Sequence, residues 1–239
     1  MSDLLRVRGL TKRFGGLVAV NRLDLDVGAG EIVGLIGPNG AGKTTAFHVI
    51  SGFHVPSAGE IVFKGASVVG QKPHAICRRG LARTFQIVQP FAGLTALENV
   101  MIGAFNRTGD VAEGRAHARE VLDFVGLGSH RDAPARTLTL ADRKRLEMAR
   151  ALATQPELLL LDEVMSGLNP TEIDQIVGLL RTIHARGVAI LLIEHVMRAV
   201  MALSHRLVVL HHGEKIAQGP PGEVARDRRV IDAYLGESA

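Results

Sequence analysis

Two short stretches of this chain carry residue types that together can bind a triphosphate and break it. The first reads Gly37-Pro38-Asn39-Gly40-Ala41-Gly42-Lys43-Thr44, the pattern G-x-x-x-x-G-K-[ST]. Its glycines let the backbone turn N–H groups inward at φ values that side chains penalise. Those groups, with the N-terminus of a following helix, bind anionic phosphates. Lys43 supplies charge for the β- and γ-phosphates, and the Thr44 hydroxyl a ligand for Mg2+. Thr45, next in the chain, is counted with the nucleotide-binding residues. The second stretch, Leu158-Leu159-Leu160-Leu161-Asp162-Glu163, is an apolar run ending in two carboxylates. An α/β sheet presents its ligands at such a strand end. Asp162 is placed to hold Mg2+, directly or through water, and Glu163 to polarise an attacking water. The chemistry expected is binding of ATP with Mg2+ and its hydrolysis.

Those side chains need elements to hold them. Residues 31–36 form a continuous apolar strand of the doubly buried kind, leading into the glycine loop, and residues 43–50 a helix leading out. Before them, Leu23, Leu25 and Val27 alternate with Asp24 and Asp26, the period of half-solvated antiparallel strands. Residues 59–63 read as a further strand. From about Gln86 to Ala153 the pattern is helical, with candidates at 95–104, 111–125 and 141–153. Strands then return at 158–161 and 188–193, with helices at 171–185 and 196–203. A hairpin follows around His212-Gly213, and a terminal helix at 230–235. Buried strands alternating with helices predict an α/β fold with a parallel sheet. The expected organisation is one domain over residues 1–239. Residues 1–85 and 156–239 would form the nucleotide-binding core with an N-terminal antiparallel β subdomain, and 86–155 an inserted helical subdomain.

Composition narrows the class. Hydrophobic residues make up 46% of the chain, enough for a sizeable core. Aromatics make up 4%, which disfavours a binder that stacks on nucleic-acid bases, and no nucleic-acid partner is expected. The net charge of +4 reads as solvated Lys and Arg, or as affinity for an anionic ligand or membrane surface. The single cysteine, Cys77, excludes an internal disulfide and a Cys-rich zinc site, and is expected to be buried and inert. The N-terminus shows no signal-peptide stretch, and no apolar run is long enough to span a bilayer. A membrane role has to come through a partner.

The order and spacing of these pieces resemble the ABC transporter ATPases across essentially the whole chain. The fold that resemblance implies is a P-loop NTPase with a RecA-like core. Gly37 to Thr44 match the family's Walker A motif and Leu158 to Asp162 its Walker B motif, with Glu163 as the catalytic glutamate. The resemblance also implies roles that the residues alone do not. Gln86 stands at the Q-loop glutamine that contacts Mg2+, and His195 at the switch histidine near the γ-phosphate. Phe14 stands where an aromatic stacks on adenine, and Ser166-Gly167-Leu168-Asn169 at the D-loop. The signature segment aligns with Leu138-Thr139-Leu140-Ala141-Asp142, which in the family closes on ATP held by a second subunit. Here Ala141 replaces a Gly, and its Cβ would penalise positive φ. Asp142 replaces a neutral Gln and would repel phosphate if it pointed inward. Val164 stands where many members have Pro, and Asn169 where many have Asp.

A narrower resemblance is to the branched-chain amino acid importer ATPases. It is carried by Phe14-Gly15-Gly16-Leu17, Ala82-Arg83-Thr84-Phe85-Gln86, Leu97-Glu98-Asn99-Val100-Met101, Gly167-Leu168-Asn169-Pro170-Thr171-Glu172 and Ala233-Tyr234-Leu235-Gly236-Glu237. It implies uptake of branched-chain amino acids or a similar small polar solute. The implied partners are a second ATPase subunit, identical or different, transmembrane permeases and, indirectly, an extracytoplasmic solute-binding protein. The implied location is the cytoplasmic face of the membrane. The alternatives are a nucleotide-binding regulatory subunit with weak hydrolysis, a soluble relative acting on nucleic acid, and a lipid-exporting relative.

Overall fold

The N-terminal alternation becomes two long antiparallel strands, β1 (Asp3–Phe14) and β2 (Leu17–Gly28). Leu5, Val7 and Leu10 of the first and Val20, Leu23, Leu25 and Val27 of the second are wholly buried or nearly so. The computed structural model describes residues 3–86 and 89–235. Gly236 and Glu237, used in the narrower resemblance, lie outside them.

After β2 the pattern turns continuously apolar. β3 (Ile32–Ile36) is buried at every position and runs into the glycine loop, from which α1 (Lys43–Ile50) departs. β4 (Ala58–Phe63) and β5 (Ala66–Ser67) complete a four-stranded antiparallel sheet in the order β2-β1-β4-β5. Next come α2 (Pro73–Arg78) and β6 (Leu81–Arg83). Both fall where the sequence pattern predicts no element, because three to six residues are too few to show a period. Cys77 lies on α2 and is only partly buried, which corrects the expectation of a buried thiol.

The helical stretch resolves into α3 (Ala96–Ala104), α4 (Val111–Phe124) and α5 (Leu140–Leu152). Each has a side-chain cap, from Thr95, Asp110 and Thr139, that satisfies a free N–H of the first turn. The three helices enclose their own cluster of apolar side chains, including Leu97, Val100, Leu122 and Leu146. The α/β alternation then resumes with β7 (Leu158–Asp162), α6 (Pro170–Ala185), β8 (Ala189–Ile193) and α7 (Met197–Leu203). The hairpin β9 (Arg206–His211) and β10 (Glu214–Gly219) follows, then α8 (Pro221–Val224) and α9 (Arg228–Leu235).

The second sheet has the order β10-β9-β3-β8-β7-β6, parallel except for the edge strand β10. Its two faces divide successive residues cleanly. Val33, Leu35, Leu158, Leu160 and Leu191 join the core shared with the N-terminal sheet and α1. Leu159, Leu161, Ile190 and Leu192 join the core under α6 and α7. Burial on both faces is why β3, β7 and β8 read as unbroken apolar runs. The C-terminal ends of these three strands lie side by side. They end in the glycine loop, in Asp162-Glu163 and in Glu194-His195.

Candidate functional site

The glycine loop owes its shape to backbone angles that side chains rarely adopt. Gly40 and Gly42 have φ of 73° and 99°. Gly42 is the cap residue of α1, and a Cβ there would stand 2.3 Å from the Ala19 carbonyl oxygen. The loop is held from outside by the tip of the β9–β10 hairpin. Gly213 N–H donates to Ala41 O at 3.1 Å, and Asn21 N–H to Gly213 O at 2.8 Å. The ammonium of Lys43, 6% exposed, donates to the loop carbonyls of Gly37 (2.6 Å) and Pro38 (2.7 Å). Residues 39–45 line a cavity of about 630 Å3 together with Phe14, Leu17, Gln86, Glu163, His195 and His212. That volume suits a mononucleotide. Thr44 and Gln86 also border an adjoining cleft of about 380 Å3 that Asp162 lines.

Glu163 is the meeting point. It follows β7 with φ of +50°, a left-handed conformation that costs a residue bearing a Cβ about 1–2 kcal/mol. Its Oε2 accepts from Gln86 Nε2 at 2.7 Å, and its Oε1 lies 2.9 Å from His195 Nε2. Its N–H donates to Ile193 O at 2.9 Å, and its carbonyl accepts from Lys144 Nζ at 2.9 Å. Gln86 and His195, expected at the Mg2+ and near the γ-phosphate, therefore each touch the residue expected to polarise the water.

Asp162 is fully buried. Its Oδ2 accepts from Arg83 Nη2 at 2.8 Å, while its Oδ1 has no hydrogen-bond partner among the described residues. Burial pushes this carboxyl above its ordinary range, and Arg83 opposes the shift. A buried carboxylate oxygen left unpaired next to a Thr44-lined cleft fits a hard divalent cation such as Mg2+, which binds oxygen and keeps much of its water. Arg83, part of the narrower resemblance, is the residue that meets Asp162. Its guanidinium sits 5.7, 5.8 and 5.1 Å from the ring centres of Phe47, Phe53 and Phe85. Its strand, β6, is too short to be legible in the sequence.

A layer of buried charge lies behind these groups. Glu194, 2% exposed, accepts from Met165 N–H at 2.8 Å, and burial raises its pKa to about 7. Glu147 is likewise raised by burial and accepts from Phe85 N–H. Lys144 is lowered by burial and supported by Glu147, Glu194, Glu163 and Asp162. A charged side chain at a helix position that reads as buried is the signal that could have marked Lys144 and Glu147.

Phe14 stands at the cavity wall, 42% exposed, edge-on to His54 at 5.3 Å. Residues 138–142 do not line the cavity formed by their own chain. Thr139 caps α5: its Oγ1 accepts from Asp142 N–H (3.1 Å) and donates to Asp142 Oδ2 (2.8 Å). Two expectations change here. Ala141 lies in the first turn of α5 with ordinary helical backbone, so its Cβ meets no penalty. Asp142 turns to its own cap and to Arg145 at 3.6 Å, which balances its charge locally. Leu140 packs over the Gly167 turn, where an added Cβ would stand 3.1 Å from Leu140 Cδ2. Asn169 caps α6 in a reciprocal pair with Glu172.

Known proteins are similar to this chain in sequence and in fold. The profile of a family described as ABC transporter matches residues 20–166, and one described as branched-chain amino acid ATP-binding cassette transporter matches residues 214–239. The high-affinity branched-chain amino acid transport ATP-binding protein LivG of Salmonella typhimurium is 42% identical, with 98% of each chain covered. Its counterpart BraF of Pseudomonas aeruginosa is 40% identical at the same coverage. The lipopolysaccharide export system ATP-binding protein LptB of Acidithiobacillus ferridurans is 33% identical, covering 99% of this chain and 98% of that one. Among solved structures, the ADP conformation of an ATP-binding cassette of an ABC transporter superposes with a TM-score of 0.90. It is 29% identical over 99% of this chain and 100% of that one. Its fold is the one expected here, an α/β core with an N-terminal antiparallel sheet and inserted helices.

Proposed function

The chain belongs to the ABC transporter family, and from that membership we propose that it is the ATP-hydrolysing subunit that drives uptake of branched-chain amino acids, or a similar small polar solute, through separate membrane permeases. The observation that supports this most is the single cavity bordered by the glycine loop, Glu163 and His195. The relatives named for branched-chain amino acid transport are 40% and 42% identical against 33% for the lipopolysaccharide exporter, and residues 214–239 match the amino-acid subfamily. Both facts favour amino-acid import over lipid export.

In this reading the triphosphate lies along the backbone of residues 37–45, on the N–H groups of all but Pro38, and Lys43 exchanges two neutral carbonyls for the β- and γ-phosphate oxygens. Phe14 stacks on the adenine. Asp162, through Oδ1, with Thr44 and Gln86, would hold Mg2+, which would supply neutralisation of the triphosphate's charge. Glu163 takes a proton from the attacking water as its oxygen bonds to the γ-phosphorus. The bond to the β–γ bridging oxygen breaks, and ADP and phosphate leave. His195 and Gln86 hold the two oxygens of Glu163 in line. Leu138, Thr139, Leu140, Ala141 and Asp142 face a nucleotide held by a second ATPase subunit. Residues 86–155 form the helical subdomain that carries them, between core segments 1–85 and 156–239. No helix among the described residues is long and apolar enough to cross a membrane. In the proposed assembly the chain sits at the cytoplasmic face through its permeases, and a solute-binding protein acts outside.

The test is Glu163→Gln in the full chain with Mg-ATP. Loss of the base lowers turnover by about 100-fold or more while ATP affinity stays within about twofold. Turnover like that of the parent would remove Glu163 from the chemistry.

A further inference from the structure

Lys144 is a cation where none of the motifs above calls for one. It lies in the second turn of α5, five residues beyond the Thr139 cap, and only 4% of its surface is exposed. Burying an ammonium is costly unless good partners compensate. Its two hydrogen bonds among the described residues go to main-chain carbonyls, those of Glu163 at 2.9 Å and of Gln86 at 3.4 Å. These are the residues whose side chains also meet each other, at 2.7 Å.

Glu163 needs such support. A residue with a Cβ stays in left-handed backbone only where its surroundings over-determine it. Three supports act here. The N–H is held by Ile193 of β8, the carboxylate by Gln86 and His195, and the carbonyl by Lys144. Only the last reaches across from α5.

We propose that Lys144 is the positioning residue through which α5 sets the backbone of Glu163 and Gln86, so that residues 138–142 at the head of that helix and the hydrolytic site move as one lever. The inference rests on Glu163 acting as the base. Movement at the Thr139 cap displaces the ammonium and releases both carbonyls. Residues 37–45, which hold the triphosphate, are untouched. Loss of Lys144 therefore separates turnover from affinity.

The test measures Mg-ATP turnover and binding of a fluorescent ATP analogue in the full chain. Lys144→Met, which keeps length and loses the charge, lowers kcat by about tenfold or more, with KM and analogue affinity within about twofold of the parent. Lys144→Arg restores turnover to within about threefold of the parent. Gln86→Ala combined with Lys144→Met costs less than the product of the two single losses, because both variants release Glu163, one at its carboxylate and one at its carbonyl. Lys144→Gln is measured in parallel and carries the same criteria should the Met variant fail to fold. Parental kcat in a folded neutral variant, an increase in KM in place of a fall in kcat, or multiplicative losses in the double variant would overturn the lever. Glu163→Gln is run beside them. If it is inactive while Lys144→Met is not, the lever alone fails. If it is active, the assignment of the base fails.

Discussion

Glu194 is a buried carboxyl that ordinary sequence reading treats as the end of an apolar strand. Burial raises its pKa from 4.5 to about 7, with Lys144 lowering it and Glu163 raising it further. Between those values the folded chain holds a proton that the unfolded chain has released. The stability tied to that proton is complete below about pH 4.5 and is lost as pH rises through about 7. Glu194→Gln should therefore flatten this part of the pH profile. Its thermal midpoint at pH 8 should match or exceed that of the parent, with no such advantage at pH 5.5. Thermal unfolding at the two pH values checks this, and a variant uniformly less stable at both would contradict it. At this scale the sequence singles out Lys43, Thr44, Asp162 and Glu163, because their spacing is local. Arg83 and Lys144 were not legible. Each acts on a residue far along the chain, and nothing in the sequence pattern alone joins positions 83 and 162, or 144 and 163.

Elements were legible where their period was long enough to read. β3, β7 and β8 announce themselves as unbroken apolar runs, and α3, α5 and α6 as stretches of helical pattern. β6 is three residues long and earns its place in the sheet by pairing with β7, a contact that local pattern cannot express. The junction of β3, loop and α1 makes the sharpest demand on one residue. Gly42 combines φ of 99° with a close approach to Ala19 O. Gly42→Ala should cost about 2 kcal/mol or more in urea unfolding and weaken nucleotide binding as well. Stability within about 0.5 kcal/mol of the parent would show that the loop can take another path. The Ala141 expectation failed at this scale for a simple reason. The helix begins one residue before it, so its backbone is helical where the family comparison called for glycine freedom.

Across the whole molecule, two apolar cores flank one sheet, and a third lies among α3, α4 and α5. The 138–142 segment belongs to that third region and does not line its own chain's cavity. In the proposed function a second ATPase supplies the missing wall. Glu163→Gln, which keeps ATP unhydrolysed, should then shift from monomer to dimer by light scattering with Mg-ATP and remain monomeric with Mg-ADP. If it stays monomeric alone but dimerises when a related ATPase chain is added, the working pair contains two different chains. A monomer under all these conditions would count against the sandwich arrangement.

The fastening of the glycine loop by the β9–β10 hairpin has a consequence for how the protein is made. The loop and its helix leave the ribosome well before the hairpin does. Their strand has to wait for both neighbours, β8 and β9, and the loop for Gly213 to arrive at Ala41. Competence to grip a nucleotide is thus acquired only once the hairpin has been made, and a nascent chain stalled before it carries residues 37–45 without the cradle that arranges them.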